Sequence, residues 1–341
     1  MLDRTTAIAV AGAGSIGCYA GGCLALSGRA VTLLARPRII DAAGKIGLAI
    51  VDLDGRERRL GPSALPAAAD PAQAFAGAGL VLVTVKSRDT AEMAELIARH
   101  APPDATIVSL QNGTGNAARL RRSLPATQRV VAGMVPFNVV QDETPGAPLA
   151  FRRTTSGEVH VEADVPGLVD LLSVEGFQVA PAADMIAVLW GKLVLNLGNA
   201  LNALSGLPLA EQLADRRWRL LFAAQMDEAL AVMRRAGIKP VAIGPLRPAL
   251  LPYVLRLPDV LFRLLARRMI AVDPKARSST LQDLDRGRRT ETDEFQGAIV
   301  RLAEQVGMAA PLSRLVLEEI RAAEEAGKGS PLLTPNDLRL P

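Results

Sequence analysis

The chain has 341 residues, 49% of them hydrophobic and only 3% aromatic, with a formal net charge of +4. That length suits about two domains, and so few aromatics argue against a nucleic-acid binder that stacks bases. Two cysteines five apart (Cys18 and Cys23) and two isolated histidines (His100 and His160) provide no metal-ligand spacing, no disulfide framework and no Ser/His/Asp triad.

The opening MLDRTTAIAVAGAGSIGCYAGGCLALSG has the length of a signal peptide. It is too rich in glycine for a helical apolar region, it carries Asp3 beside Arg4, and another strand pattern follows, so it reads as folded structure. Residues 7–12, AIAVAG, read as a buried strand running into Gly12-Ala-Gly14-Ser15-Ile16-Gly17, then a small-residue helix, then a second strand at 29–36, RAVTLLAR. A strand, a glycine turn, a helix and a strand in that order form the dinucleotide-binding unit, a stronger signal than the glycine pattern alone. Gly12 permits the tight turn, Gly14 lets backbone approach a pyrophosphate, and Gly17 lets helix and strand pack. The N–H groups at the start of the helix, around Ser15 and Ile16, then face the phosphates. No acid closes the second strand, which ends Ala35-Arg36-Pro37-Arg38. An NAD site needs such an acid for the ribose hydroxyl, whereas Arg36 suits a 2′-phosphate, so the cofactor expected is NADPH.

Further strands are predicted at 79–87, ending in Lys86; at 105–110, ending in the polar loop QNGTGN with Gln111 and Asn112; at 129–140; and at 157–163. Ligands of parallel α/β sheets sit at such strand ends. After about residue 183 helical stretches take over: 184–204, 211–236, 248–270, 275–305 and 312–326. Pro240, Pro245, Pro248, Pro252 and Pro258 interrupt a less regular segment, and the tail from 327 reads as irregular. The fold expected is an α/β Rossmann-like N-terminal domain over 1–183 and an all-α C-terminal domain over 184–341. No apolar run reaches transmembrane length, so the localisation expected is cytoplasmic, with neither membrane nor nucleic acid as a partner.

Two segments of the helical half are polar where apolar residues would be expected. In LWGKLVLNLGNALNALSG, 189–206, Lys192, Asn196 and Asn199 fall within about 60° of one another on a helical wheel, and Asn202 widens the stripe. Burying such groups without partners costs roughly 2–7 kcal/mol each. The stripe therefore faces backbone carbonyls, water or a ligand cleft, and a helix at a domain junction favours the cleft. In SSTLQDLDRGRRTETDEF, 278–295, Ser279 and Glu291 are twelve residues apart, just over three turns, so both can share a face of a continuous helix. Taken alone, that segment also reads as a charged surface helix.

Gly12-x-Gly14-x-x-Gly17, VTVK ending in Lys86, QNG with Asn112, KLVLN with Lys192 and Asn196, and SSTLQD…RRTE with Ser279 and Glu291 occur in this order. The ordered set resembles the ketopantoate reductase (2-dehydropantoate 2-reductase) family along nearly the whole chain. The resemblance implies an NADPH-binding Rossmann domain and a helical domain like the C-terminal fold of 6-phosphogluconate dehydrogenase. It implies reduction of a branched 2-keto acid at its C2 ketone, with Lys192 protonating or polarising the oxygen. Asn196 and Ser279 then hold the substrate, with Asn199 beside them, Glu291 binds its hydroxyl, and Lys86 and Asn112 lie near the cofactor and the lysine. Two family asparagines lack a match: Ala200 stands eight residues after the lysine, and Leu207, Pro208 and Leu209 follow the helix. A reductase of the same design for another keto acid therefore stays open, as does a non-catalytic NADP-binding regulator, although Lys192 and Glu291 are both kept. A homodimer is compatible with this reading.

Overall fold

The computed structural model describes residues 2–244, 246–265 and 276–338. The chain divides into two compact units, Met1–Met185 and Ile186–Pro341.

The first unit is α/β. Its strands are β1 (Ile8–Ala11), β2 (Val31–Leu34), β3 (Leu48–Val51), β4 (Glu57–Leu60), β5 (Ala67–Ala68), β6 (Leu80–Val83), β7 (Thr106–Ser109), β8 (Arg129–Met134), β9 (Val139–Asp142), β10 (Leu149–Arg153), β11 (Val159–Glu162) and β12 (Val179–Ala182). The main sheet runs β12-β11-β8-β7-β6-β1-β2-β5. Its pairs are parallel except β11 with β8. Strands β1, β6 and β7 are buried along their whole length, and β1 and β6 are the continuous apolar runs expected of a sheet covered on both faces. From β1 the order proceeds to β2 on one side and β6 on the other, which opens a crevice at the carboxyl end of β1.

A second sheet, β4-β3-β10-β9, is absent from the sequence reading. The helix Ser15–Leu26 packs between the two sheets. A Cβ on Gly21 would lie 2.8 Å from Leu33 Cδ2 of β2, and one on Gly22 2.3 Å from Ile50 Cδ1 of β3. This explains the small residues of YAGGCLALSG: the helix needs room on two sides. The predicted strand at 129–140 is two strands, β8 and β9, because the chain leaves one sheet and enters the other around Pro136.

The second unit is helical. Among the described residues its helices are Met185–Ser205, Leu209–Ala214, Arg216–Arg235, Leu251–Arg256, Asp259–Leu265, Ser279–Asp285, Thr292–Gln305 and Pro311–Ala326. Leu193, Val194 and Leu197 of the first helix pack with Met226, Val232, Phe295 and Ile299 in one cluster, and its far end, Leu201 and Leu204, packs with Trp218, Leu281, Val316 and Ile320 in another. Arg219, only 1% exposed, donates to the carbonyls of Leu213, Ala214, Leu255 and Leu257 and pairs with Asp259 at 2.7 Å. It thereby satisfies helix-end carbonyls that would otherwise be buried unpaired.

Three predicted helices need correction. The stretch 211–236 is broken at Asp215, whose carboxylate caps the helix Arg216–Arg235. The stretch 248–270 is a short 3-10 turn, Pro248–Leu250, and two short helices separated near Pro258, its last part (266–270) lying outside the described residues. The stretch 275–305, whose first residue lies outside the described ones, is likewise two helices, Ser279–Asp285 and Thr292–Gln305. The first stops at Gly287, whose φ of +61° suits glycine, and Arg288 N–H donates to Asp283 O at 2.8 Å while Gly287 N–H donates to Leu284 O at 2.9 Å. This paired closure is the Schellman motif. Ser279 and Glu291 therefore lie on different helices, not on one face of a single helix.

Candidate active site

In the first unit the three motif glycines have different surroundings. Gly12 follows β1 with φ +113°, and a Cβ there would lie 2.7 Å from Val85 Cγ1 and 2.9 Å from Val85 N. At Gly17 a Cβ would lie 2.1 Å from Gly12 O. These two glycines are required by packing. At Gly14, the cap of the helix Ser15–Leu26, a Cβ would meet no protein atom within 4 Å. Folding does not demand a glycine at Gly14, but a ligand brought against the helix start would. Ser15 and Ile16 occupy the first turn, where backbone N–H groups have no partner within the helix. The residues present thus fit a dinucleotide phosphate.

Arg36 is exposed at the end of β2 and begins the helix Pro37–Lys45. Lys86 and Asn112 are both half-buried, in the segments that follow β6 and β7. A buried network staples those segments together. Gln111 Nε2 donates to Val85 O at 3.1 Å and to Thr90 Oγ1 at 2.7 Å. Asn116 Nδ2 donates to Ser87 Oγ at 2.8 Å and to Asn112 O at 2.5 Å. Gln111, a strand-end candidate in the sequence, is thus a structural tie. Asn116, Ser87 and Thr90 escaped the sequence reading because polar residues in a loop carry no sign of which will be buried.

In the second unit, Lys192, Asn196 and Asn199 are each half-buried on the helix Met185–Ser205. Burial pulls the Lys192 ammonium down to about 8, against the opposing pull of the Glu291 carboxylate. Gly191 gives that turn a close neighbour: a Cβ there would lie 2.1 Å from Val241 O. Glu291, 8% exposed, stands at the start of the helix Thr292–Gln305. Its loop is held from the next helix, since Glu324 accepts the Thr290 N–H at 2.7 Å. Glu291 acts on Lys192 through its charge, and Phe295 and Ile299 of the helix that Glu291 begins pack in one cluster with Leu193 and Leu197 of the lysine's helix. A cation whose proton is loosely held, under the influence of a carboxylate and in line with two amides, can protonate or polarise an oxygen that is gaining negative charge.

Asn202 departs from the stripe. It is fully buried, and all its polar atoms are engaged within the unit. Ser279 is exposed at the first turn of its helix, while its neighbour Ser278 is the buried cap. The Ser-Ser pair offers two cap candidates, and nothing in the sequence decides between them. Among the described residues no group of three or more His, Cys, Asp or Glu is placed to hold a metal ion, and no helix is long and apolar enough to cross a membrane.

Comparison with known proteins gives matches along most of the chain. The family model described as Ketopantoate reductase PanE/ApbA matches residues 8–164, and its C-terminal counterpart matches 184–324. A 2-dehydropantoate 2-reductase of Halobacterium salinarum is 30% identical, over 94% of this chain and 99% of that protein. The crystal structure of a PanE/ApbA family ketopantoate reductase from Ralstonia eutropha JMP134 is 32% identical, covers 95% of this chain and all of its own, and has a TM-score of 0.78. A D-mandelate dehydrogenase solved with NADH and anilino(oxo)acetate is 21% identical, covers 94% of this chain and 99% of its own, and has a TM-score of 0.70, which shows a shared fold.

Proposed function

The chain belongs to the ketopantoate reductase family and is an oxidoreductase, and from that premise we propose that it reduces 2-dehydropantoate (ketopantoate) to pantoate with NADPH. The observation that carries this reading is Lys192, half-buried, lowered to about 8 and coupled to Glu291. When bound, the reduced nicotinamide supplies the hydride. As the ketone carbon accepts it, negative charge grows on the oxygen. Lys192 meets that charge with a positive group and gives up its proton, a transfer worth about 10²–10⁴-fold when the acid is positioned. Asn196, Asn199 and Ser279 orient the keto acid, and Glu291 accepts a hydrogen bond from its hydroxyl. Gly12, Gly14, Ser15, Ile16, Gly17, Arg36, Lys86 and Asn112 hold the dinucleotide.

Two variants test the dinucleotide side. Because a Cβ at Gly14 has open space and the residue's φ is −80°, Gly14→Ala should melt within a degree or two of the parent. It should still raise the KM for NADPH about tenfold or more, because the methyl occupies the space of the phosphates. Unchanged NADPH kinetics would remove the phosphates from that turn. Arg36→Ala should raise the KM for NADPH with little change for NADH, since a guanidinium fork recognises the 2′-phosphate that only NADPH carries. Equal use of both cofactors by the unmutated protein would overturn the preference.

Ala200, where the family carries an asparagine, is fully buried in the core, so that substrate amide has no counterpart at that position. A different 2-keto acid in the same site is the second reading, which the similarity to a 2-dehydropantoate 2-reductase does not favour. NADPH oxidation by the purified protein, with ketopantoate beside other 2-keto acids, separates the two. The first reading expects the highest kcat/KM with ketopantoate. A higher value for another keto acid selects the second reading, and no oxidation with any keto acid refutes both.

A further inference from the structure

Ser278 and Asn202 hold together parts of the helical unit that the reading above gives to the substrate. Both are buried, Asn202 completely and Ser278 to 4% exposure. The Ser278 hydroxyl accepts the Leu281 N–H at 3.1 Å and donates to Asn199 O at 3.0 Å. The Ser278 N–H donates to Asn202 Oδ1 at 3.0 Å. Asn202 Nδ2 donates in turn to Leu207 O at 2.8 Å and to Gln212 Oε1 at 3.2 Å. A helix cap needs only the bond from Leu281. The remaining bonds fasten the start of the helix Ser279–Asp285 to the last turns of the helix Met185–Ser205. Ser279 is joined directly to Ser278, and the carbonyl that Ser278 grips is that of Asn199.

We propose that Ser278 and Asn202 are positioning residues that fix Ser279 relative to Asn196 and Asn199, and so set affinity for the keto acid without touching it. The proposal rests on the substrate reading above. Its physical basis is that a displacement of about 1 Å in a substrate-holding group can cost up to about 10²-fold, and a buried hydrogen-bonded clamp resists such displacement.

The test compares Ser278→Ala, Ser278→Thr and Ser279→Ala, alone and combined, by steady-state kinetics. Ser278→Ala should raise the keto-acid KM about tenfold while the NADPH KM stays within about twofold. Ser278→Thr, which keeps a hydroxyl for both bonds, should restore most of the loss. Ser279→Ala should cost less in the Ser278→Ala background than alone, because a misplaced group has less to lose. If Ser278→Ala does not fold, Ser278→Gly replaces it, since glycine serves as a cap nearly as well yet lacks the tie to Asn199. An unchanged keto-acid KM in either variant, or strictly additive losses with Ser279→Ala, overturns the clamp. A Ser279→Ala protein with normal keto-acid kinetics instead overturns the substrate reading on which the clamp rests.

Discussion

Lys192→Ala is expected to lose at least about 10²-fold in kcat while NADPH still binds, because the loss falls on the proton donor and not on the dinucleotide. A structural lysine that reached along its apolar stem to water would show little kinetic effect. Stability separates the two roles a second time. The folded-state pKa is lowered from 10.5 to about 8. Between those values the unfolded chain holds a proton that the folded chain has lost, so stability rises with pH across that window. Below it the protonated lysine destabilises the fold by an upper figure of about 3 kcal/mol, from about 1.4 kcal/mol per pH unit. Lys192→Met keeps the bulk and removes the charge, while Glu291 loses a cationic neighbour, which offsets part of the gain. The variant should therefore melt no lower than the parent yet be inactive in reduction. Such an exchange of stability for activity marks a functional residue. A Lys192→Met protein that melts well below the parent and keeps its kcat would make the lysine structural.

Glu291→Gln should have the second-largest effect, through two separable routes. A site built to accept a substrate hydroxyl loses discrimination when the acceptor is changed. The KM for a hydroxylated keto acid should rise about tenfold or more, and the KM for an analogue lacking the hydroxyl much less. The carboxylate also raises the Lys192 pKa against burial. Its removal should lower that pKa further, so that reduction begins to fail at a lower pH than in the parent. Equal losses for both substrates with an unmoved pH profile would leave Glu291 only its place at the start of the helix Thr292–Gln305.

The strand–turn–helix–strand unit could be read from the sequence because its signals are local. β1 and β2 are apolar runs on either side of glycines whose spacing the turn dictates. The second sheet could not, since β3 pairs in parallel with β10 across about a hundred residues of chain and strands of four or five residues leave little pattern to read. The polar stripe was legible as far as Asn199, by helical spacing. Asn202 continues that spacing, yet it turns inward to Ser278 and Gln212, a partnership that depends on tertiary packing. The break between Ser279 and Glu291 had a local sign in Gly287, a glycine inside a helical pattern, but the charged residues around it satisfied a helix as well. Glu291 was therefore a candidate placed on the wrong element. Its coupling to Lys192 arises from the packing of two separate helices.

The most direct test of the central claim, that Lys192 gives its proton to the ketone, is the pH dependence of single-turnover keto-acid reduction by the NADPH-loaded, unmutated protein. Single turnover isolates the chemical step from product release. The rate should be level at lower pH and fall about tenfold per pH unit above an apparent pKa near 8, with the fall displaced to lower pH in Glu291→Gln. A rate that stays level past 10.5, the ordinary lysine value, would contradict proton donation by Lys192.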